Sequence, residues 1–195
     1  MTDVIAAVIQ LLMQVVDLVV TVLVVGVVGL MVLRWVLLKV QPFGGVTFYV
    51  RRVTDPLVWP IAQRMPSGMN IAPLILVVVT LLSAFFFKQM IGEVLYSLLG
   101  VVRGVETGAP VAMLGWLLYG AVSIFLMLMI MRIVFSWLPF ARDTRFMWVL
   151  CSLTEPVMAP FRQLIPPLGM FDLSPILLIL LMSFVKSAIR NLLIQ

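Results

Sequence analysis

Histidine is absent from this 195-residue chain, cysteine occurs once, and only eight residues are acidic. Without histidine, zinc or haem held by histidine and Ser-His-Asp catalysis are excluded. A single cysteine excludes an internal disulfide. Charged residues make up 11% of the chain and hydrophobic residues 64%, against about 25% and roughly 45–50% in soluble domains. A water-soluble globular domain is therefore excluded, and we expect neither an enzyme activity nor a cofactor.

Long apolar runs are what the sequence contains instead. The mean hydropathy is +1.23, and about 20 apolar residues cross a bilayer as a helix. Runs of this kind predict four transmembrane helices, at about residues 18–38, 71–87, 111–135 and 173–189. No cleavage site of small residues follows the first run, so no cleaved signal peptide is expected.

The basic residues are unevenly divided between the two sides of such a membrane protein. Nine of the thirteen lie near the end of span one or span three, or in the loop that follows that span. They are Arg34, Lys39, Arg51, Arg52, Arg64, Arg132, Arg142, Arg145 and Arg162. The positive-inside rule then places both of these loops in the cytoplasm of a bacterium and both termini outside its inner membrane. Because topology and anionic lipid account for the basic excess, we expect no direct nucleic-acid binding.

Polar side chains also interrupt the first apolar run. Gln10, Gln14, Asp17 and Thr21 follow one another at helical steps of three or four residues and so form one stripe on a helix. One interpretation is a helix that begins at the water interface, with Asp17 near its surface. The alternative is a face packed on other helices, with Asp17 and Gln14 as intramembrane polar groups.

An internal repeat is the main organising signal. The segment Thr54-Asp55-Pro56-Leu57-Val58-Trp59-Pro60 recurs one hundred residues later as Thr154-Glu155-Pro156-Val157-Met158-Ala159-Pro160. Upstream, Arg34 corresponds to Arg132. The sequence therefore predicts an all-α membrane protein of two parallel helical-hairpin repeats, covering residues 1–91 and 111–195 and joined by a connecting segment, 92–110.

Each loop of the repeat carries two prolines in an apolar context. Asp55 and Glu155 are predicted to cap helices that begin at Pro56 and Pro156, where proline is tolerated. Pro60 and Pro160, four residues on, then predict a kink. In the second copy Arg145, Ser152, Glu155 and Arg162 fall on one side of a helical wheel. We therefore expect one kinked amphipathic helix per hairpin, lying at the cytoplasmic membrane surface or dipping slightly into it.

The second copy resembles the bacterial YggT/YlmG family in its two-repeat form. The residues that carry this resemblance stand in the family's order and spacing: Arg132, Ser136-Trp137-Leu138-Pro139, Thr154-Glu155-Pro156, Pro160-Phe161-Arg162, Ile165-Pro166-Pro167-Leu168-Gly169 and Asp172-Leu173-Ser174-Pro175. The first copy departs from the pattern, with Ala62 and Asn70 where the second has Arg162 and Asp172. The resemblance implies roles in the assembly of membrane complexes, including haem attachment in plastids, in nucleoid or division-site organisation, or in osmotic tolerance.

The candidate contacts with partners or lipid therefore lie mostly in the second copy. They are Arg132, Trp137, Glu155, Pro156, Pro160, Arg162, Pro166 and Asp172. Arg34 and Arg132 either pair with Asp55 and Glu155 or extend to lipid phosphates, and the second interpretation is favoured. Arg162, beside Phe161, fits a lipid headgroup and a partner carboxylate equally well.

The function favoured by these patterns is a non-enzymatic scaffold or assembly factor. Its partners would be the lipid bilayer and other membrane proteins. The alternative is an oligomeric ion channel or transporter involved in osmotic tolerance, which requires polar groups along a path through the membrane. A homo-oligomer is compatible with either function.

Overall fold

The computed structural model describes residues 2–63, 71–138, 141–164 and 173–194, and all regular structure within these ranges is helical. The helices are α1 (Thr2–Val40), α2 (Gly45–Ala62), α3 (Ala72–Glu106), α4 (Pro110–Ser136), α5 (Arg145–Leu164) and α6 (Ser174–Leu193). Over the described ranges, α1, α3, α4 and α6 are long and apolar enough to cross a membrane. The prediction of an all-helical chain with four apolar spans is confirmed.

Two of these helices are longer than the predicted spans. α1 has 39 residues and α3 has 35, or about 58 and 52 Å at 1.5 Å per residue. The second span was predicted to end at about residue 87 and residues 92–110 to connect the repeats, but α3 runs on to Glu106. The helix continues because residues 88–106 contain no proline. It ends where Gly108 adopts a left-handed φ of 62°, the conformation that glycine supplies after helices.

The chain divides into two compact units, one of residues 14–88 and one of residues 1–13 together with 89–195. The second unit contains α4, α5 and α6, which pack on one another. Their shared core consists of the buried side chains Met129, Met158 and Leu178, one from each helix. Because lipid tails are as apolar as these side chains, van der Waals packing stabilises such a core among helices in a membrane.

Close backbone approach joins α3 to α4 in the same unit. The Ser97 hydroxyl of α3 donates a hydrogen bond to the Trp116 carbonyl of α4, with an oxygen–oxygen distance of 2.7 Å. Beside this bond lies the buried Gly120, where an added Cβ would come within 2.8 Å of Ser97 Cβ. Small residues allow such contacts, which are the usual means of packing helices within lipid.

α2 and α5 are amphipathic helices with matching buried positions. Thr54 and Val58 are buried in α2, and Thr154 and Met158 are buried in α5. Their opposite faces expose large apolar side chains, including Trp59 and Trp148. Positions one hundred residues apart are therefore equivalent in the two helices: each pair faces the interior of its own unit.

The predicted starts of these helices are wrong. α2 begins at Gly45 and α5 at Arg145, roughly three turns before Pro56 and Pro156. Asp55 and Glu155 are thus inside the helices and do not cap them.

Prolines inside α2 and α5 are tolerated because they lie on the exposed face. Pro56, Pro60, Pro156 and Pro160 are all exposed. Each lacks an N–H and so leaves the carbonyl four residues earlier without its helical partner. That carbonyl lies on the same face as the proline, where water or lipid headgroups can hydrogen-bond to it.

Gly120→Ala is expected to destabilise the protein by about 1–3 kcal/mol, because the added methyl group overlaps Ser97 and separates α3 from α4. The measurement is the free energy of unfolding in mixed micelles, followed by circular dichroism during titration with a denaturing detergent. Gly29→Ala is the matched control, since an added Cβ at Gly29 meets nothing within 4 Å. Equal stabilities of the two variants would contradict the close approach.

Candidate functional site

An arginine of α4, 13% exposed, and an acid of α5 form the centre of the candidate site. Arg132 Nη2 donates to Glu155 Oε2 over 2.6 Å, and its Nη1 donates to the Thr154 hydroxyl over 2.7 Å. Arg162, two turns after Glu155 in α5, donates from Nη1 to Glu155 Oε1 over 2.5 Å. Both carboxylate oxygens are thus occupied by charge-assisted hydrogen bonds, the stronger kind. The network of Arg132, Thr154, Glu155 and Arg162 is called the second network below.

Thr154 connects this network to the α5 backbone. Its side chain is fully buried, and its hydroxyl donates to the Leu150 carbonyl over 2.7 Å. With its proton committed there, the oxygen lone pairs are available to accept from Arg132. The threonine therefore fixes the position of the guanidinium relative to α5, which the carboxylate alone would not do.

The same residue types form a first network in the unit of residues 14–88. Arg34 of α1 donates from Nη1 both to the Thr54 hydroxyl and, over 2.6 Å, to Asp55 Oδ1. Thr54 in turn donates to the Val50 carbonyl over 2.7 Å. The arginine side chain is only 3% exposed, whereas that of Asp55 is 47% exposed. An apolar helix is thereby attached to an amphipathic one in each unit.

Arg34 and Arg132 were expected to extend toward lipid phosphates, and this expectation is wrong. Both guanidinium groups bind the acid of the following amphipathic helix instead. A carboxylate and a hydroxyl at fixed positions give the guanidinium group several hydrogen bonds that replace those to water. An arginine that extends to the membrane surface has no such fixed partners, and its long side chain remains mobile.

The other predicted contact residues are distributed differently. Pro156 and Pro160 lie on the exposed face of α5. Trp137, at the end of α4, is 76% exposed and makes no hydrogen bond to the second network within the described part of the chain. Pro166 and Asp172 lie outside the described residues. The roles proposed for these side chains in binding a partner stay predictions.

Asp17 and Gln14 are both exposed on α1. The Asp17 carboxylate forms an ion pair with Lys88 of α3, in the unit of residues 14–88. Asp17 therefore contacts another helix, as the second interpretation of the polar stripe expects, but it remains exposed, as the first expects.

Sequence reasoning missed two features of the site. One is the role of Thr54 and Thr154 as hydrogen-bond acceptors, although both threonines directly precede the acid in the repeated motif. The other is an ion pair between Glu93 of α3 and Lys186 of α6, with an N–O distance of 3.1 Å. The Lys186 ammonium also lies 4.6 Å from the centre of the Tyr119 ring. Charges interrupting apolar helices were the available signal for this pair.

The described residues do not provide a set of side chains that could bind a metal ion. They hold no group of three or more His, Cys, Asp or Glu side chains placed to bind a metal ion. Cys151, the single cysteine, is half-buried and carries a free thiol.

Thr154→Val is expected to lower the free energy of unfolding by about 1–3 kcal/mol, because it leaves a donor of the largely buried Arg132 without its acceptor. Thr54→Val should behave in the same way at Arg34. The free energy of unfolding of both variants is measured by titration with a denaturing detergent.

Thr80→Val is the control for this prediction. The Thr80 hydroxyl makes the same bond to the carbonyl four residues earlier, that of Leu76, but no arginine in the described residues donates to it. A change within about 0.5 kcal/mol is expected there. If Thr154→Val is as neutral as the control, the hydroxyl does not hold the guanidinium.

Comparison with known proteins finds a family match in the part of the chain that contains the second network. Residues 111–193 match the family model described as CCB3/YggT. The chain is 29% identical to the uncharacterized protein YggT of Escherichia coli (strain K12) over 149 residues, covering 74% of this chain and 72% of that protein. It is 26% identical over 170 residues to an uncharacterized protein of Pseudomonas aeruginosa, covering 83% and 81%.

A plant relative is similar over a shorter stretch. The chloroplast protein CCB3 of Arabidopsis thaliana, which is named for cofactor assembly of complex C, is 40% identical over 67 residues, or 34% of this chain and 38% of that protein. No solved structure matches the chain significantly. The matched region, 111–193, contains the whole second network. Residues 111–193 therefore resemble the CCB3/YggT family, and the relatives that match more of the chain include YggT proteins.

Proposed function

We propose that this protein is a non-enzymatic integral membrane scaffold that takes part in assembling membrane protein complexes. The observation that carries the proposal is the second network. It attaches α5 to the apolar helix α4 by two short hydrogen bonds, and a third, within α5, holds the other carboxylate oxygen of Glu155. The other face of α5 is left exposed. An amphipathic helix fixed in this way presents a defined surface to another protein without a catalytic group.

The relatives support this class of function. One of them carries cofactor assembly of a complex in its name, a role in which a chain can act by holding another protein. None of these three relatives is named as an enzyme.

The arrangement we propose in the membrane is two parallel helical hairpins. Spans α1 and α3 enclose α2, and spans α4 and α6 enclose α5, with α2 and α5 at the cytoplasmic surface of the bacterial inner membrane and both termini outside. The basic residues near these two helices support this sidedness. Their exposed aromatic side chains, such as Trp59 and Trp148, suit the membrane interface.

The docking surface for a partner protein is then the exposed side of α5. Trp148 is 72% exposed and Leu153 is 54% exposed. Arg162, at the end of the helix, is half-exposed and pairs with Glu155. Aromatic side chains beside arginine are typical of protein interfaces.

A photocrosslinking amino acid in place of Leu153 is expected to capture one discrete integral membrane protein in cells. The matched control is Leu114 of α4, which is equally exposed at 55% but lies on an apolar span. Mass spectrometry of the adducts, and co-purification in mild detergent, identify the partner.

Arg162→Ala is expected to reduce the yield of that adduct several-fold while the protein stays folded. Adducts with lipid alone at both leucines, or the same proteins at both, would contradict a docking surface on α5.

An oligomeric ion channel is the second candidate function, and the exposed polar stripe of α1 favours it. Gln10, Gln14 and Asp17 are all exposed in the single chain, and polar side chains on a span are tolerated where copies pack together or line a path.

If ions cross, Asp17→Asn should change the flux measured in proteoliposomes, because it removes a fixed charge and leaves Lys88 unpaired. Asp3→Asn, near the start of α1, is the control. Absence of flux in the natural protein and in both variants would reject the channel.

A further inference from the structure

A cavity of about 780 Å³ lies within the unit of residues 14–88, between α1, α2 and the start of α3. Its volume is within the range of roughly 300–1,000 Å³ found for small-molecule sites. Seven of its ten lining residues are apolar, among them Met31 and Leu38 of α1 and Leu74 and Val77 of α3. The other three lining residues are all cationic.

The cationic lining residues are Arg34, Lys39 and Arg51. Asp55 neutralises Arg34, whereas neither Lys39 nor Arg51 forms an ion pair with any carboxylate of the described residues. Both of these side chains are exposed, and the Lys39 ammonium lies 4.1 Å from the centre of the Trp35 ring. The cavity therefore carries two positive charges beyond those that the protein itself neutralises.

Arg34 supplies a second and independent indication of a ligand. The side chain is 97% buried, being only 3% exposed. Its Nη1 bonds to Thr54 and Asp55, but its Nε is buried and has no hydrogen-bond partner in the described part of the chain. A buried donor without an acceptor costs about 1–3 kcal/mol, so an acceptor oxygen bound beside it would be favourable.

The second copy of the motif does not reproduce these charges. In the register that aligns Arg34 with Arg132, Lys39 aligns with Trp137. In the register that aligns Thr54 with Thr154, Arg51 aligns with Cys151. The cationic cavity is therefore a property of the first copy, which is the copy that departs from the family pattern.

We propose that this cavity binds one anionic phospholipid, with its phosphate held by Arg51 and Lys39 beside Arg34 and an acyl chain along the apolar wall. Arginine and lysine are the usual ligands of phosphate groups. Basic pockets between transmembrane helices bind lipid headgroups in the same manner. The apolar wall favours a lipid over a free phosphate, since a free phosphate has no apolar surface to bury.

The test is native mass spectrometry of the full chain, extracted in mild detergent and supplied with phosphatidylglycerol, phosphatidylcholine or inorganic phosphate. We expect one phosphatidylglycerol per chain to be retained in preference to phosphatidylcholine. The double variant K39Q R51Q should retain it at least about tenfold less, because each hydrogen bond to a charged group contributes about that factor.

Two further variants separate the lipid site from general effects. R52Q R145Q removes the same charge at two exposed positions that do not line the cavity, and it should retain the lipid as the natural protein does. Val77→Trp fills the apolar wall and keeps every charge, so it should lose phosphatidylglycerol. Circular dichroism of each variant reports whether it is folded.

Three outcomes would overturn the proposal. The first is undiminished lipid retention by both K39Q R51Q and Val77→Trp. The second is an equal loss in R52Q R145Q, which would show a general attraction to basic protein. The third is displacement of phosphatidylglycerol by millimolar inorganic phosphate, which would show that the cavity takes free phosphate and not a lipid.

Discussion

An arginine that enters an apolar helix must find fixed partners, and the rest of this structure depends on that constraint. Arginine stays charged in proteins, and an unpaired charge within or near hydrocarbon is costly. Arg34 and Arg132 meet the requirement with an acid and a threonine from the next helix. Because the partners belong to α2 and α5, satisfying each charge also fixes an amphipathic helix against an apolar one.

The orientation of α2 and α5 follows from this attachment. With Thr54 and Thr154 directed inward, the helical period places the prolines on the outer face, where a missing N–H is tolerated. The outer face also carries large apolar side chains, as Trp148 shows. The inner face therefore serves stability, and the outer face is free to bind a partner, which is the basis of the proposed scaffold function.

The two copies of the motif differ in where their additional basic residues lie. In the second copy, Arg162 joins Arg132 at the Glu155 carboxylate, on an exposed helix. In the first copy, position 62 is alanine, and the excess charge lies at Lys39 and Arg51 beside a cavity. A common framework thus presents a basic helix surface in one unit and a basic cavity in the other, so partner binding and lipid binding need not use the same copy.

The sequence by itself determined the four apolar spans, the repeated Thr-acid-Pro motif and the resemblance of the second copy to a known family, because hydropathy and short motifs are local properties. It did not determine where α2, α3 and α5 begin or end. Packing of an inward face overrode the proline signals in α2 and α5, and α3 runs on past the predicted end of its span. Only the tertiary structure decided that Arg132 pairs with Glu155 and that Glu93 meets Lys186. These partners lie 23 and 93 residues apart in the chain, and such contacts depend on helix packing, which no local pattern encodes.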